Sequence, residues 1–129
     1  TVYLMIINVS GSENRTDEYD EMDVYQLNDF LEDMLHEKNE YYCVFTRITD
    51  VFGFDLKMRN CIRTYINTLD DSDWKLHISD DFTSFEVPVT DDSINEIYVK
   101  DNAESRSIIV KPYNQPFMEI DMLFFKKHN

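Results

Sequence analysis

The sequence predicts an α+β fold: a single domain over residues 1–129, in which two helices in the first half pack on a mainly antiparallel sheet of about five to seven strands. Three observations predict it. Apolar residues recur at helical spacing over residues 24–35 and again over 55–69. After Leu69 the pattern changes to period two. No linker, repeat or low-complexity tract divides the chain. With 129 residues and 43% apolar content it is long enough to remove roughly two-thirds of its unfolded surface from water without staples.

In order, Val2 to Val9 is a nearly unbroken apolar run ended by Ser10, Gly11 and Ser12, which suits a central strand covered on both faces. Residues 10–21 read as an acidic loop. The first helix follows with Val24, Leu27, Phe30, Leu31, Met34 and Leu35 on one side, Asp20 or Asp23 as its N-cap, and an end near Glu37 to Asn39. Residues 40–49 are β-branched and aromatic and read as a strand. A second helix is expected over 55–69, with Met58, Ile62, Tyr65, Ile66 and Leu69 on one side and Asp55 as its cap, against the weak helix propensity of Thr64, Tyr65 and Ile66.

Five short strands complete the expectation, over residues 74–78, 82–87, 94–100, 107–111 and 117–125. The third and fourth of these, joined across residues 101–106, read as a hairpin. In the last strand Met118, Ile120, Met122 and Phe124 alternate with Glu119 and Asp121.

Charge is the strongest compositional signal. The net charge of −14 comes from 26 acids and 12 bases, and the acids lie in two blocks. Residues 13–40 hold 11 acids against Arg15 and Lys38, and residues 70–104 hold 11 against Lys75 and Lys100. The intervening and final segments are mildly basic. Such a chain is repelled by nucleic acid and by anionic membranes, so neither is an expected direct partner, and it is drawn to basic proteins at rates that fall with salt. The composition holds one Ala, two Gly and three Pro beside abundant Asn, Asp, Ile, Tyr and Phe. An AT-rich genome writes such a chain, which points to a viral, phage or low-GC bacterial source.

Cys43 and Cys61 sit in apolar settings where a free cysteine behaves as a small buried hydrophobe, so reduced thiols and a cytoplasmic location are expected. Two sequons, Asn8 to Ser10 and Asn14 to Thr16, leave an exported form open. No run approaches transmembrane length, and Val2 to Val9 lacks the basic flank and small-residue site of a signal peptide.

No catalytic constellation emerges. His36, His77 and His128 have no neighbour at ligand spacing, no Gly-x-Ser-x-Gly elbow occurs, and two glycines cannot build a phosphate-cradling loop. The Asp-rich turns, Asp70 to Asp73, Asp80 to Asp81 and Asp91 to Asp92, offer hard oxygen ligands but lack the glycine and twelfth-position Glu of a calcium loop. A metal-dependent enzyme using them is the alternative from another class. The expected protein has no cofactor and no catalytic residue.

The acids themselves are the candidate site. Asp17, Glu18, Asp20 and Glu21 form the acidic run, and Asp29, Glu32, Asp33 and Glu37 form a stripe on the first helix opposite the apolar one. Asp70, Asp71, Asp73, Asp80 and Asp81 belong to the second block. Carboxylates at i, i+3 and i+4 stand about 5–6 Å apart, of the same order as phosphates along a nucleic-acid strand with its rise of about 3.4 Å. The expected function is therefore a small acidic inhibitor that imitates nucleic acid and occludes the basic surface of a nuclease or other nucleic-acid-binding protein, as a viral or phage counter-defence protein would. An immunity protein for a nuclease toxin and an exported decoy for basic signalling proteins share the same physics. Monomer and homodimer both fit, and Lys57, Arg59 and Arg63 supply a rival role for the stripe if they pair with it internally.

Overall fold

A computed structural model describes residues 18–35, 41–61, 63–89, 96–112, 115 and 117–127. The expected strand at Val2 to Val9 and the expected end of the first helix lie outside these residues, as do Asp17, Glu37, His36 and His128.

Among the described residues there are one helix and nine strands in two sheets, which overturns the expectation of two helices packed on one sheet. The strands are β1 (Asp20–Glu21), β2 (Tyr41–Thr49), β3 (Asp55–Arg59), β4 (Arg63–Asn67), β5 (Lys75–Ser79), β6 (Ser84–Pro88), β7 (Glu96–Asp101), β8 (Ser105–Lys111) and β9 (Glu119–Lys126), and the helix α1 spans Val24–Leu35. The larger sheet runs β1-β7-β8-β9-β2-β3 and the smaller β4-β5-β6. Every pairing is antiparallel.

The expected second helix is instead β3 and β4. Its apolar positions fit either period, but the two halves alternate separately. Met58 and Ile66 turn inward with Thr64 while Lys57, Arg59 and Arg63 turn to solvent. Leu69, which the helix would bury, is 95% exposed. The break falls at Asn60, whose φ of 55° is the left-handed conformation that Asn adopts more readily than most residues. There the chain leaves the large sheet for the small one. A β-rich tertiary environment thus selects extended structure where Thr64, Tyr65 and Ile66 are indifferent to helix.

The helix at 24–35 forms as its spacing predicts. Asp23 is the realised N-cap: its Oδ1 accepts from Gln26 N–H at 2.7 Å, and its own N–H donates to Gln26 Oε1 at 2.9 Å, a reciprocal capping box. Val24, Leu27 and Leu31 are fully buried, each contributing about 1.5–3 kcal/mol of apolar burial. They join the inner faces of both sheets in one core, with Ile48 and Met58 from β2 and β3, Leu76 and Ile78 from β5, Ile108 and Val110 from β8, and Ile120, Met122 and Phe124 from β9. The alternation foreseen for the last strand therefore holds. The β7–β8 hairpin forms as predicted, with Asp101 opposite Arg106.

The orientation of α1 follows from its two ends. Tyr25 meets Trp74, which immediately precedes β5 where Lys75 faces the last residue of β4, edge to face at 5.3 Å. Met34 shares a cavity with Cys61 and Thr64 at the start of β4. The helix, about 18 Å long, runs antiparallel along β4. It is also tied to the large sheet by Phe30, whose ring meets Tyr41 at 5.5 Å and Phe124 at 5.1 Å.

Candidate partner-binding surface

The structure brings part of the predicted acidic surface together and assigns the rest to local work. Asp29, Glu32 and Asp33 lie exposed on the solvent side of α1 and form no ion pair with any described residue. The rival role does not materialise: Lys57 approaches Asp55 at 3.8 Å, and Arg59 and Arg63 form no ion pair among the described residues.

The second block flanks this stripe at both ends. Because Asn67 pairs with Lys75, the Asp70–Asp73 turn closes β4 to β5 at the Trp74 end, beside Tyr25 in the first turn of α1. Because Arg63 pairs with Ser79, the Asp80–Asp81 turn lies at the other end, where Met34 stands near Cys61. The helix stripe thus spans the interval between two acidic turns.

Inside those turns the carboxylates divide their duties. Asp70 Oδ1 accepts from Ser72 N–H at 3.0 Å and Ser72 Oγ at 2.8 Å, and these bonds hold its carboxyl below the usual range. Asp80 Oδ1 accepts from Phe82 N–H at 2.8 Å and Thr83 N–H at 2.6 Å. Both are turn-forming side chains. Asp73 pairs with Lys75 at 3.5 Å, whereas Asp71 and Asp81 are exposed. In the first block Glu18 pairs with Lys100 at 3.0 Å, and Asp20 and Glu21 lie exposed on the edge strand β1, opposite Val99 and Tyr98.

Most bases elsewhere are consumed locally. Arg47 forks onto Asp55, Nε to Oδ1 at 3.0 Å and Nη2 to Oδ2 at 2.9 Å, and the guanidinium draws the Asp55 carboxyl below its ordinary range. Arg106 forks onto Asp101 in the same way. His77 stacks on Tyr65 and places Nδ1 3.3 Å from Glu86 Oε2 across the outer face of the small sheet. No group of three or more His, Cys, Asp or Glu side chains placed to hold a metal ion occurs among the described residues, and no helix among them is long and apolar enough to cross a membrane.

Two features escape the sequence reading. Phe52, at the tip of the β2–β3 turn, is 79% exposed and meets Phe117 edge to face at 5.6 Å. Asp50 builds that turn by accepting from Phe52 and Phe54 N–H, with Gly53 at φ 99°. The second is a cavity of about 340 Å³ where α1, β2 and β4 meet, lined by Met34, Tyr42, Cys43, Asn60, Cys61 and Lys127 among others. Only the adjacency of Cys43 and Cys61 across neighbouring backbones would have found it, and the helical reading of 55–69 hid that adjacency. No protein-family model, curated protein or solved structure matches this chain.

Proposed function

We propose that this chain is a small acidic binding protein, not an enzyme, that occludes a basic, nucleic-acid-binding surface of a protein partner such as a nuclease. The observation that carries the reading is the unneutralised stripe: Asp29, Glu32 and Asp33 face solvent with no cation among the described residues to pair with them. Like charges at this spacing destabilise an isolated helix by about 0.2–0.5 kcal/mol per pair. A basic partner converts that cost into complementarity, which raises association rate and specificity. The net charge of −14 also exceeds the magnitude of about 2–8 that solubility alone asks of a small domain. The composition and the free thiols support a viral or phage protein acting in the cytoplasm of its host.

The test is capture of basic nucleic-acid-binding proteins from host lysate, compared between the native chain and D29N/E32Q/D33N. The native chain is expected to retain such a protein at about 50 mM salt and release it by about 500 mM. The triple variant, folded by circular dichroism, should lose that retention. Capture indifferent to both salt and the substitutions would reject the acidic face as the interface.

A further inference from the structure

The cavity at the α1 end of the two sheets holds two sulfurs that the binding surface does not use. Past Arg59 the chain continues to pair with β2: Asn60 N–H donates to Val44 O at 2.9 Å and Cys61 N–H to Cys43 O at 3.0 Å, extending the register in which Phe45 faces Arg59. Cys43 and Cys61 are therefore backbone neighbours just past the end of the β2–β3 pairing. A disulfide requires Cα atoms about 4.4–6.8 Å apart, a span that neighbouring antiparallel backbones joined by a hydrogen bond can meet. Both are free thiols. A single hydroxyl joins them, since Thr46 Oγ1 lies 3.5 Å from Cys43 Sγ and 3.3 Å from Cys61 Sγ.

The surroundings distinguish this pair from two inert core thiols. The register of β2 against β9 slips between Cys43 and Phe45, leaving Val44 as the extra residue of a bulge. Cys43 and Cys61 are nearly buried, yet both line the cavity of about 340 Å³, whose wall also includes the exposed residues Tyr42, Asn60 and Lys127. A space of that size accepts a small organic molecule.

We infer that Cys61 and Cys43 form a thiol-exchange site for low-molecular-weight disulfides, with Cys61 as the attacking sulfur and Cys43 as the resolving one. Both sulfurs line the cavity, and their mutual influence orders them. The neighbouring Cys43 thiol lowers the Cys61 thiol to about 7 against the opposing effect of burial, while Cys61 and burial push Cys43 up. Cys61 is thus the sulfur that ionises first, and the thiolate is the nucleophile.

The Cys61 thiolate attacks one sulfur of the small disulfide, forming a mixed disulfide and expelling one thiolate, which takes a proton from water. Cys43 then gives its proton to solvent, and its sulfur attacks the Cys61 sulfur. The second small thiolate leaves and is protonated in turn. Two protein thiols become one cystine, and one small disulfide becomes two small thiols. The bridge ties β2 to the segment where the chain crosses between sheets.

The probe is oxidised glutathione, added to the native full chain and followed by intact mass and peptide mapping. The expected product has lost two hydrogens and yields a Cys43–Cys61 cross-linked peptide. In C43S the reaction is expected to stop at the glutathione adduct on Cys61, and in C61S the rate should fall at least about tenfold. If C43S does not fold, the bridge in the native chain and the order of alkylation by a bimane reagent, Cys61 before Cys43, still decide. Native thiols that react only in urea, or a C61S variant that reacts as fast as the native chain, would overturn the inference.

Discussion

Replacing Arg106 by Lys keeps the charge and removes the geometry, and the structure gives the size of the effect. The Arg106 guanidinium lies 4.6 Å from the centre of the Phe30 ring and 5.1 Å from that of Tyr41, while it forks onto Asp101. It thereby joins α1, β2 and the β7–β8 hairpin at one point. Cation–π contacts at partly exposed sites contribute about 0.5–1 kcal/mol each. Its ion pair, with 57% of the Asp101 side chain exposed, contributes less than about 1 kcal/mol. Lysine cannot stack flat or bond through a fork, so R106K is expected to cost about 1–2 kcal/mol. For a domain of this size that lowers the melting temperature by about 4–8 °C. Urea denaturation at fixed pH measures it, with an unchanged slope confirming that only stability moved. A cycle with Phe30→Leu should return a coupling of at least about 0.5 kcal/mol. Added salt should weaken the Asp101 pair more than the stacking. An R106K variant within about 0.3 kcal/mol of the native chain, or strict additivity with F30L, would refute the argument.

Two further outcomes follow from the caps and pairs. Asp23→Ala removes one half of the α1 capping box and is expected to cost about 1 kcal/mol, read from the urea midpoint, whereas Asp23→Ser should recover most of it. The Asp55 carboxyl is held low by Arg47, so its contribution is present above the ordinary Asp range and is lost as pH falls through the depressed value. The native chain should therefore lose more stability than D55N on going from neutral pH to below that range, and parallel acid titrations of the two would exclude the pair as a contributor.

What could be read from the sequence depended on how local the cause was. The α1 pattern, its cap at Asp23, the β7–β8 hairpin and the alternation of β9 are set by neighbours a few residues apart, and all are found in the structure. The segment 55–69 was ambiguous because Met58, Ile62, Tyr65 and Ile66 satisfy a helical period while each half satisfies a period of two. What decides between them is the partner strand, since Met58 lies opposite Thr46 and Ile66 opposite Leu76. No local rule contains those partners. The division into two sheets was illegible for the same reason. Acid exposure on α1 and the Asp-rich turns could be foreseen, but that Asp70 and Asp80 are the acceptors within those turns emerges only from backbone geometry.

The position of β9 has a consequence for how the chain reaches this state. It is the last of the nine described strands in sequence, yet it sits inside the large sheet, with Tyr41 of β2 opposite Lys126 and Val110 of β8 opposite Ile120. Contacts of such long sequence separation slow folding because loop closure must precede their reward. The β2–β3 hairpin and the small sheet can form early from local pairings. Until β9 arrives, however, β2 presents an open edge, and β8 of the β1-β7-β8 half has no partner on its other side. A ribosome-bound chain lacking β9 would therefore hold two half-sheets with exposed edges, the species most open to capture by chaperones or to intermolecular strand pairing.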